Sequence, residues 1–215
     1  MAKKPYSHII WDWNGTLLDD IDLCVKTIND LLVKRHLPGI SQEEYLETFE
    51  FPVSTYYQKI GFSFELEPFS EISKEFITAY EKGRRGCQLM PGARETLEVL
   101  SSNGYTQSIL SASKQTYLNQ AVIDYGINHH FSSINGLDNY HAAGKSGIAR
   151  QFMDTQKLAP EDILLIGDTK HDAEIARLLG IDCWLIPNGH QSYQRLAESN
   201  VPLVESLLST IALIG

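Results

Sequence analysis

The strongest constraint on the fold of this chain is a run of four aliphatic residues, 163–166, that ends abruptly at Gly167 and Asp168. An unbroken aliphatic run of this length is typical of a strand that is buried on both faces of a sheet. Apolar residues then recur at helical spacing from Ile175, and the helix is expected to stop at Gly180. A buried strand followed at once by an amphipathic helix predicts an α/β fold.

The same alternation continues through most of the chain. The predicted strands are 7–11, 105–110, 131–134, 163–166 and 183–186, and the predicted helices are 93–100, 117–125, 145–153 and 175–179. Because parallel strands joined by helices need right-handed crossovers, this alternation predicts a Rossmann-like parallel sheet.

The region between the first strand and Pro91 has a different pattern. Residues 20–85 show helical spacing in several segments and no convincing strand, and Ser41 with Glu44 forms a capping-box pattern before one of these segments. We therefore expect a core made of residues 1–18 and 87–215, with an α-helical domain of residues 19–86 inserted into it.

The acidic composition limits the partners that the chain can bind. It has 18 Lys and Arg against 27 Asp and Glu residues, which gives a formal net charge of −9. No nucleic acid partner is expected, because binding its phosphates requires a basic surface. No apolar run reaches the length of a membrane helix, about 18 residues, and the N-terminal residues lack a signal-peptide pattern. Cys24, Cys87 and Cys183 are far apart, so reduced thiols in a soluble cytoplasmic protein are expected.

Reactive polar residues stand where the predicted strands end. Asp12 follows the first strand, Ser111 follows the second, and Asp168 and Asp172 follow the aliphatic strand, while Lys145 begins a helix. The carboxyl ends of parallel strands meet at one edge of the sheet, so these side chains are expected to converge. Clustered carboxylates suit Mg²⁺, and a hydroxyl and an ammonium suit a phosphate dianion opposite the metal. An aspartate in such a place can act as a covalent nucleophile.

Structural roles are open for some of these residues. Asp168 and Asp172 could serve as a helix cap and a first-turn acid, and Ser111 or Ser113 could cap the next helix. Lys170 also lies near the expected edge, although Lys145 is preferred. Trp11 and Trp13 could pack in the core or shape the pocket for the leaving group.

Residues 12–18, DWNGTLL, resemble the D-x-D-G-T-L signature of the haloacid dehalogenase-like superfamily of phosphohydrolases. The other motifs of that superfamily follow in order: Ser111, Lys145, and residues 167–172, GDTKHD, which match G-D-x-x-x-D. Residues 90–100 and 176–181 are similar to the phosphoglycolate-phosphatase-like branch. The resemblance covers the whole chain and implies that the helical insert is a cap domain.

The resemblance also implies a mechanism, with Mg²⁺ as cofactor and a small phosphorylated metabolite as substrate. Asp12 would be the nucleophile that forms an aspartyl-phosphate, and Lys145 would offset the negative charge around it. The implied metal ligands are Asp12, the backbone carbonyl of Asn14, and Asp168. Asp172 would support the metal through a water molecule or through a hydrogen bond to one of these ligands. The implied phosphate-binding residues are Ser111, Ala112, Lys145 and Gly15.

The chain departs from the family pattern at Asn14, a catalytic position where these phosphatases usually carry an Asp that protonates the leaving group and then activates water. An amide cannot move that proton, and general acid–base help is worth about 10²–10⁴-fold in rate. Two functions follow: a phosphatase acting on a phosphoglycolate-like or sugar phosphate monoester, or a catalytically impaired phosphate-binding or regulatory member of the family. On the sequence alone, Asn14→Asp is expected to restore turnover if only the proton route is missing.

Two other classes fit less well. A two-component receiver domain carries its acidic pair near the first strand and its phosphoacceptor on a later one, the reverse of the order found here. A dehalogenase of the same superfamily needs no metal, and so has no use for Asp168 and Asp172 in this form.

Overall fold

A five-stranded parallel sheet forms the centre of the protein. The computed structural model describes residues 6–137, 145–155 and 158–214. The strands of this sheet, numbered along the chain, are β1 (His8–Trp11), β4 (Thr106–Lys114), β5 (Ser133–Leu137), β6 (Ile163–Gly167) and β7 (Asp182–Leu185). They lie in the order β5-β4-β1-β6-β7, which is the order of a doubly wound Rossmann-like sheet. The predicted fold class is confirmed.

Successive strand residues alternate between two hydrophobic cores, one on each face of the sheet. In β6, Leu164 and Ile166 belong to one core, and Ile163 and Leu165 belong to the other. All four side chains are fully buried. Burial on both faces is the physical reason why the sequence shows an unbroken aliphatic run here.

Helices cover both faces of the sheet. One face carries α5 (Ala93–Ser102), α6 (Gln115–Asp124) and α10 (Leu207–Ile214), and the other carries α7 (Lys145–Thr155), α8 (Lys170–Leu179) and α9 (Tyr193–Ala197). The sequence pattern does not predict α9, which is too short for a helical period, or α10, which is apolar nearly all round. In the described parts of the chain, no helix is both long enough and apolar enough to cross a membrane.

A helical insert lies between β1 and β4. Its helices are α1 (Ile21–Lys34), α2 (Gln42–Thr48), α3 (Val53–Lys59) and α4 (Phe69–Gly83). The predicted capping box is present at α2, where Ser41 and Glu44 bond to each other's backbone N–H groups at 3.1 and 2.7 Å. The chain enters and leaves the insert through an antiparallel pair, β2 (Leu18–Asp19) and β3 (Gln88–Leu89), which is too short to produce a sequence pattern.

Candidate active site

Strands β1 and β6 are neighbours at the point where the strand order of the sheet reverses. Asp12 directly follows β1, and Asp168 directly follows β6. Open α/β sheets bind their ligands at this point, because the connections on either side leave in opposite directions. The Thr16 hydroxyl donates to Asp168 Oδ1 at 2.9 Å and to Asp12 Oδ2 at 3.5 Å. The two carboxylates are therefore held side by side.

The Asp168 carboxylate lies against main chain on two sides. Gly15 has a φ of +72°, and a Cβ atom there would lie 2.3 Å from Asp168 Oδ2. A Cβ atom at Gly189, in the loop after β7, would lie 2.1 Å from the same oxygen. Only glycine lets the backbone approach a carboxylate this closely, and at Gly15 it also permits the left-handed conformation.

The Lys145 ammonium lies between two carboxylates. It donates to Asp12 Oδ1 and, at 2.5 Å, to Asp172 Oδ1, and only 3% of its side-chain surface is exposed. Lys170 instead pairs with Glu198 at 2.7 Å in a much more exposed position. Of the two lysines weighed from the sequence, Lys145 is therefore the one that contacts Asp12.

Asp172 combines the capping role with the lysine contact. Its Oδ2 accepts from the Thr169 N–H at 3.0 Å and from the Thr169 hydroxyl at 2.7 Å, which completes a capping box at the start of α8. Its Oδ1 accepts from Lys145. Oδ2 thus has two protein donors and Oδ1 has one, so a lone pair of Oδ1 is left for a metal or a water molecule.

Burial and neighbouring charges shift the pKa values of these groups. Burial raises the pKa of Asp12 to about 8, because the lost hydration outweighs the attraction of Lys145. Burial likewise raises the pKa of Asp168 to about 6, against the attraction of His190. Burial opposes ionisation of Asp172 too, but Lys145 holds the pKa of that carboxyl below its usual range. The two carboxylates raise the pKa of Lys145 above its usual range despite its burial, so its ammonium stays charged.

Strand β4 continues to Lys114, past the predicted end at residue 110, and its last part, where the pairing with β5 is irregular, carries Ser111 and Ala112 at the same edge. Ser111 is buried, and its hydroxyl accepts from the Ser113 N–H at 3.0 Å, while Ala112 is half-buried beside it. The Ser113 hydroxyl donates to Asn14 Oδ1 at 2.6 Å. Neither serine caps α6, because Lys114 holds the N-cap position without a side-chain cap bond.

The two tryptophans that flank Asp12 belong to the core. Trp11 is fully buried and donates to Gln107 at 2.9 Å, and Trp13 packs against Tyr125 with 6.1 Å between ring centroids. Core packing, one of the two roles open from the sequence, accounts for both.

A histidine that the sequence pattern does not predict also belongs to this site. The His190 N–H donates to Asp168 Oδ2 at 2.6 Å, its Nε2 lies 3.2 Å from Asp20 Oδ1, and its Nδ1 lies 3.0 Å from the Tyr45 hydroxyl. Burial alone would lower its pKa, but the Asp20 carboxylate raises the pKa of His190 to about 9. A buried ion pair therefore lies beneath the loop that carries Asp12. One feature of the sequence points to His190: the turn at residues 188–190 follows the last strand of the sheet, just as Asp12 follows the first strand.

The carboxylate cluster suits a hard divalent cation. Oxygen atoms of Asp12, Asp168 and Asp172 lie within 4.8 Å of one another. Mg²⁺ prefers such oxygen donors and usually retains several waters, so two or three carboxylates are enough to hold it. The residues present therefore fit the ion that the resemblance implies.

The topology and the chemistry of this site together define a class of enzyme. Aspartates at both strand ends that flank the switch point, with a buried lysine beside the first, suit the transfer of a phosphoryl group to a carboxylate and then to water. Enzymes of this kind are phosphate-ester hydrolases.

Comparison with known proteins narrows the class to a family. Residues 9–186 match the haloacid dehalogenase-like hydrolase family, and the chain belongs to that family. A phosphoglycolate phosphatase of Vibrio parahaemolyticus is 21% identical over 220 aligned positions, which cover 98% of this chain and 96% of that protein. A 5′-nucleotidase of Pseudomonas aeruginosa is 25% identical over 201 positions, covering 91% and 89%. The predicted superfamily and branch are confirmed, and the chain is a phosphoric monoester hydrolase of this family.

Solved structures support the same fold. A haloacid dehalogenase-like hydrolase from Streptococcus pneumoniae superposes with a TM-score of 0.83 at 24% identity, over 98% of this chain and 99% of that chain. The protein tyrosine kinase A of Mycobacterium tuberculosis superposes with a TM-score of 0.82 at 18% identity, over 99% of each chain. The shared architecture therefore extends across the helical insert as well as the sheet.

Proposed function

We propose that the protein is a Mg²⁺-dependent phosphatase that hydrolyses a small phosphate monoester through an aspartyl-phosphate on Asp12. The observation that carries the proposal is the contact of the buried Lys145 ammonium with Asp12 beside Asp168. Electrostatic preorganisation of this kind supplies much of the catalysis of phosphoryl transfer, because the charge is already in place when the transition state forms.

The residues of the chain orient and neutralise the reacting groups. Asp12 attacks the phosphorus as the bond from phosphorus to the alcohol oxygen breaks, and the leaving alcohol takes its proton from water. A water molecule then attacks the phosphorus of the aspartyl-phosphate, which releases phosphate and restores the Asp12 carboxylate. Lys145 offsets the repulsion between this carboxylate and the phosphate oxygens. The Ser111 hydroxyl and the main chain at Ala112 bind those oxygens. The Gly15 N–H, which the resemblance also assigns to phosphate binding, already donates to Asp20 Oδ1 at 3.1 Å, so Gly15 contributes by letting the loop approach Asp168 closely. Mg²⁺ held by Asp12, the Asn14 carbonyl and Asp168, with Asp172 in support, would supply further positive charge there.

The helical insert, residues 19–86, would act as the cap, and residues 1–18 and 87–215 as the catalytic core. Contacts of Tyr45 with His190 and of Tyr80 with Asn14 support this division, because both tyrosine side chains reach from the insert to loops at the strand ends of the core. A lid in this position would exclude water until the substrate is in place. The substrate class we propose is a phosphoglycolate-like or sugar phosphate, and the site of action is the cytoplasm.

A second function is favoured by a separate observation at Asn14. Its amide nitrogen donates to Asp20 Oδ2 at 2.7 Å and to the Tyr80 hydroxyl at 2.8 Å. Both amide hydrogens are therefore used within the protein, and this residue offers no proton to a leaving group. A phosphate-binding or regulatory protein with little turnover would share the site but not the hydrolysis.

The test is Mg²⁺-dependent phosphate release from a panel of phosphate monoesters by the wild-type protein and Asp12→Asn. Asp30→Asn is the matched control, because it makes the same change at an exposed carboxylate that forms a surface ion pair with Lys26. The proposal expects turnover by the wild type and the control and none by Asp12→Asn. Phosphate binding without release by the wild type would favour the regulatory function instead.

A further inference from the structure

Three side chains at the active-site loop form a closed triangle of hydrogen bonds. Asn14 Nδ2 donates to Asp20 Oδ2 at 2.7 Å and to the Tyr80 hydroxyl at 2.8 Å, and the Tyr80 hydroxyl donates to Asp20 Oδ2 at 2.7 Å. Asn14 thus gives two hydrogen bonds, Tyr80 gives one and accepts one, and Asp20 accepts two. We call this set the Asn14–Asp20–Tyr80 triangle.

Asp20 is the acceptor at the centre of this arrangement. Its side chain is buried, with 1% of the residue surface exposed. Besides the two triangle bonds at Oδ2, its Oδ1 accepts from the Gly15 N–H at 3.1 Å and from His190 Nε2 at 3.2 Å. Among the described residues, every polar neighbour of the carboxylate at these distances is a donor, so the atom that position 14 presents to Asp20 also has to be a donor.

This requirement fixes the orientation of the Asn14 amide. Only the NH₂ end of an amide can face a carboxylate, so the carbonyl end faces the opposite way. Asn14 Oδ1 there accepts from the Ser113 hydroxyl at 2.6 Å, next to the end of β4. The acceptor end of the side chain, not the donor end, therefore faces the proposed phosphate-binding edge.

We propose that Asp20 and Tyr80 are positioning residues that impose an amide at position 14 and hold its carbonyl toward Ser113. This inference rests on the proposed function and names the residues that prevent position 14 from carrying a simple acid–base carboxylate. A carboxylate placed at Asn14 would bring an oxygen to 2.7 Å from Asp20 Oδ2, where the amide nitrogen now lies. Like charges that close destabilise each other strongly. Asn14→Asp alone therefore damages the triangle and does not cleanly restore the proton route.

The structure also indicates how that route can be restored. In the exchange variant Asn14→Asp/Asp20→Asn, the amide at position 20 donates to the carboxylate at 14 and to the Tyr80 hydroxyl, and the tyrosine donates to position 14. Every edge of the triangle is kept with its direction reversed. The Gly15 and His190 bonds are still accepted by the side-chain oxygen at position 20, and the net charge of the chain is unchanged. His190 then faces a neutral amide instead of the Asp20 carboxylate, so the single variant Asp20→Asn measures that loss and the recovery is taken as the coupling between the two substitutions.

The experiment compares the wild type, Asn14→Asp, Asp20→Asn and the exchange variant as a double-mutant cycle. Asn119→Asp is the matched control, because it adds the same charge at an exposed position of α6 where the side-chain oxygen already acts as an acceptor. The first readout is the melting temperature without metal. Asn14→Asp is expected to melt about 5 °C or more below the wild type, and the exchange variant is expected to recover most of that loss.

The second readout is steady-state hydrolysis with Mg²⁺ of p-nitrophenyl phosphate and of an alkyl phosphate. The exchange variant is expected to exceed the wild type in kcat by about 10²–10⁴-fold with little change in KM, because a carboxylate now serves as acid and base. The gain is expected to be larger for the alkyl ester, whose leaving group needs the proton more. A role confined to folding would not change the ratio of aryl to alkyl rates.

Two results would overturn the inference: an Asn14→Asp protein that is as stable as the wild type and as active as the exchange variant, or an exchange variant that recovers no stability. Recovery of the melting temperature with no phosphate release by any variant would uphold the positioning role and refute the proposed phosphatase. Tyr80→Phe gives an independent check, since loss of the hydroxyl removes two of the three edges and is expected to lower the melting temperature of the wild type and of the exchange variant alike.

Discussion

Replacing Lys145 with Met would remove the ammonium between Asp12 and Asp172 while keeping most of the side-chain volume. The side chains of Lys145 and Asp172 are 3% and 2% exposed, and that of Asp12 is 12% exposed. Removing one partner of a buried ion pair leaves an uncompensated charge, which costs about 3–5 kcal/mol of unfolding free energy. In a chain of this size, that corresponds to a fall of roughly 6–20 °C in Tm.

The predicted loss depends on pH with a definite sign. In the wild type, Lys145 holds the pKa of Asp172 below its usual range. The pair therefore stabilises the folded protein at pH values above the pKa of an unfolded Asp, about 3.9. This stabilisation is lost as the pH falls through the lower pKa that Asp172 has in the folded protein. In the variant the attraction is gone, and burial raises the pKa of both carboxyls. The folded variant then binds protons more tightly than the unfolded chain, so its stability rises as the pH falls. The deficit is expected to be largest near pH 8 and smaller near pH 5.

Urea unfolding followed by circular dichroism, in EDTA and at both pH values, measures this deficit. Lys170→Met is the matched control, because Lys170 also begins a helix but pairs with an exposed Glu198, and no measurable loss is expected there. A deficit for Lys145→Met below about 1 kcal/mol, or one of the same size at both pH values, would refute the electrostatic account of the site.

Three further predictions concern metal binding, the glycine beside Asp168, and the anchoring of α2. Mg²⁺ binding near pH 7 is expected to release protons, because burial raises the pKa of Asp12 to about 8 and a carboxyl group has to lose its proton to bind the metal. Binding heats measured by calorimetry that are identical in buffers of different ionisation enthalpy would contradict this. Gly189→Ala is expected to lower both Tm and Mg²⁺ affinity, since the added Cβ atom would lie 2.1 Å from Asp168 Oδ2. The control is Gly147→Ala in α7, where an added Cβ atom would have no neighbour within 4 Å, and this change is expected to leave stability unchanged or to raise it. Arg195→Gln is expected to speed hydrogen exchange in α2, because Arg195 donates to two carbonyls at the end of that helix; unchanged protection would argue against this anchor.

The sheet and the residues at its strand ends could be predicted from the sequence for a physical reason. A strand buried on both faces leaves an unbroken aliphatic run, and the first polar residue after it marks the strand end, as Asp168 does after β6. Once the strands are parallel, their carboxyl ends share one edge. Asp12 and Asp168 could therefore be placed together although 156 positions in the chain separate them.

The Asn14–Asp20–Tyr80 triangle and His190 could not be found in this way. Tyr80 lies 60 positions from Asp20 on α4, and its place depends on how that helix packs and rotates over the sheet. Helical periodicity identifies the buried face of α4 but not which hydroxyl on it reaches the loop. His190 lies in an irregular loop after β7, where no periodic pattern exists. Both depend on tertiary packing rather than on local sequence.

The antiparallel pair β2–β3 makes the helical insert a module with its two ends side by side. Leu18 faces Leu89 and Asp19 faces Gln88, and opposed residues of such a ladder are only about 5 Å apart. A different helical domain could be grafted between these ends without altering the register of β1 and β4. Such a graft could change which substrate is bound while the residues at the strand ends keep their positions. The graft carries one condition: a domain that lacks a hydroxyl in the position of Tyr80 would need a compatible pair at positions 14 and 20, so the insert and the loop that carries Asn14 would have to be changed together.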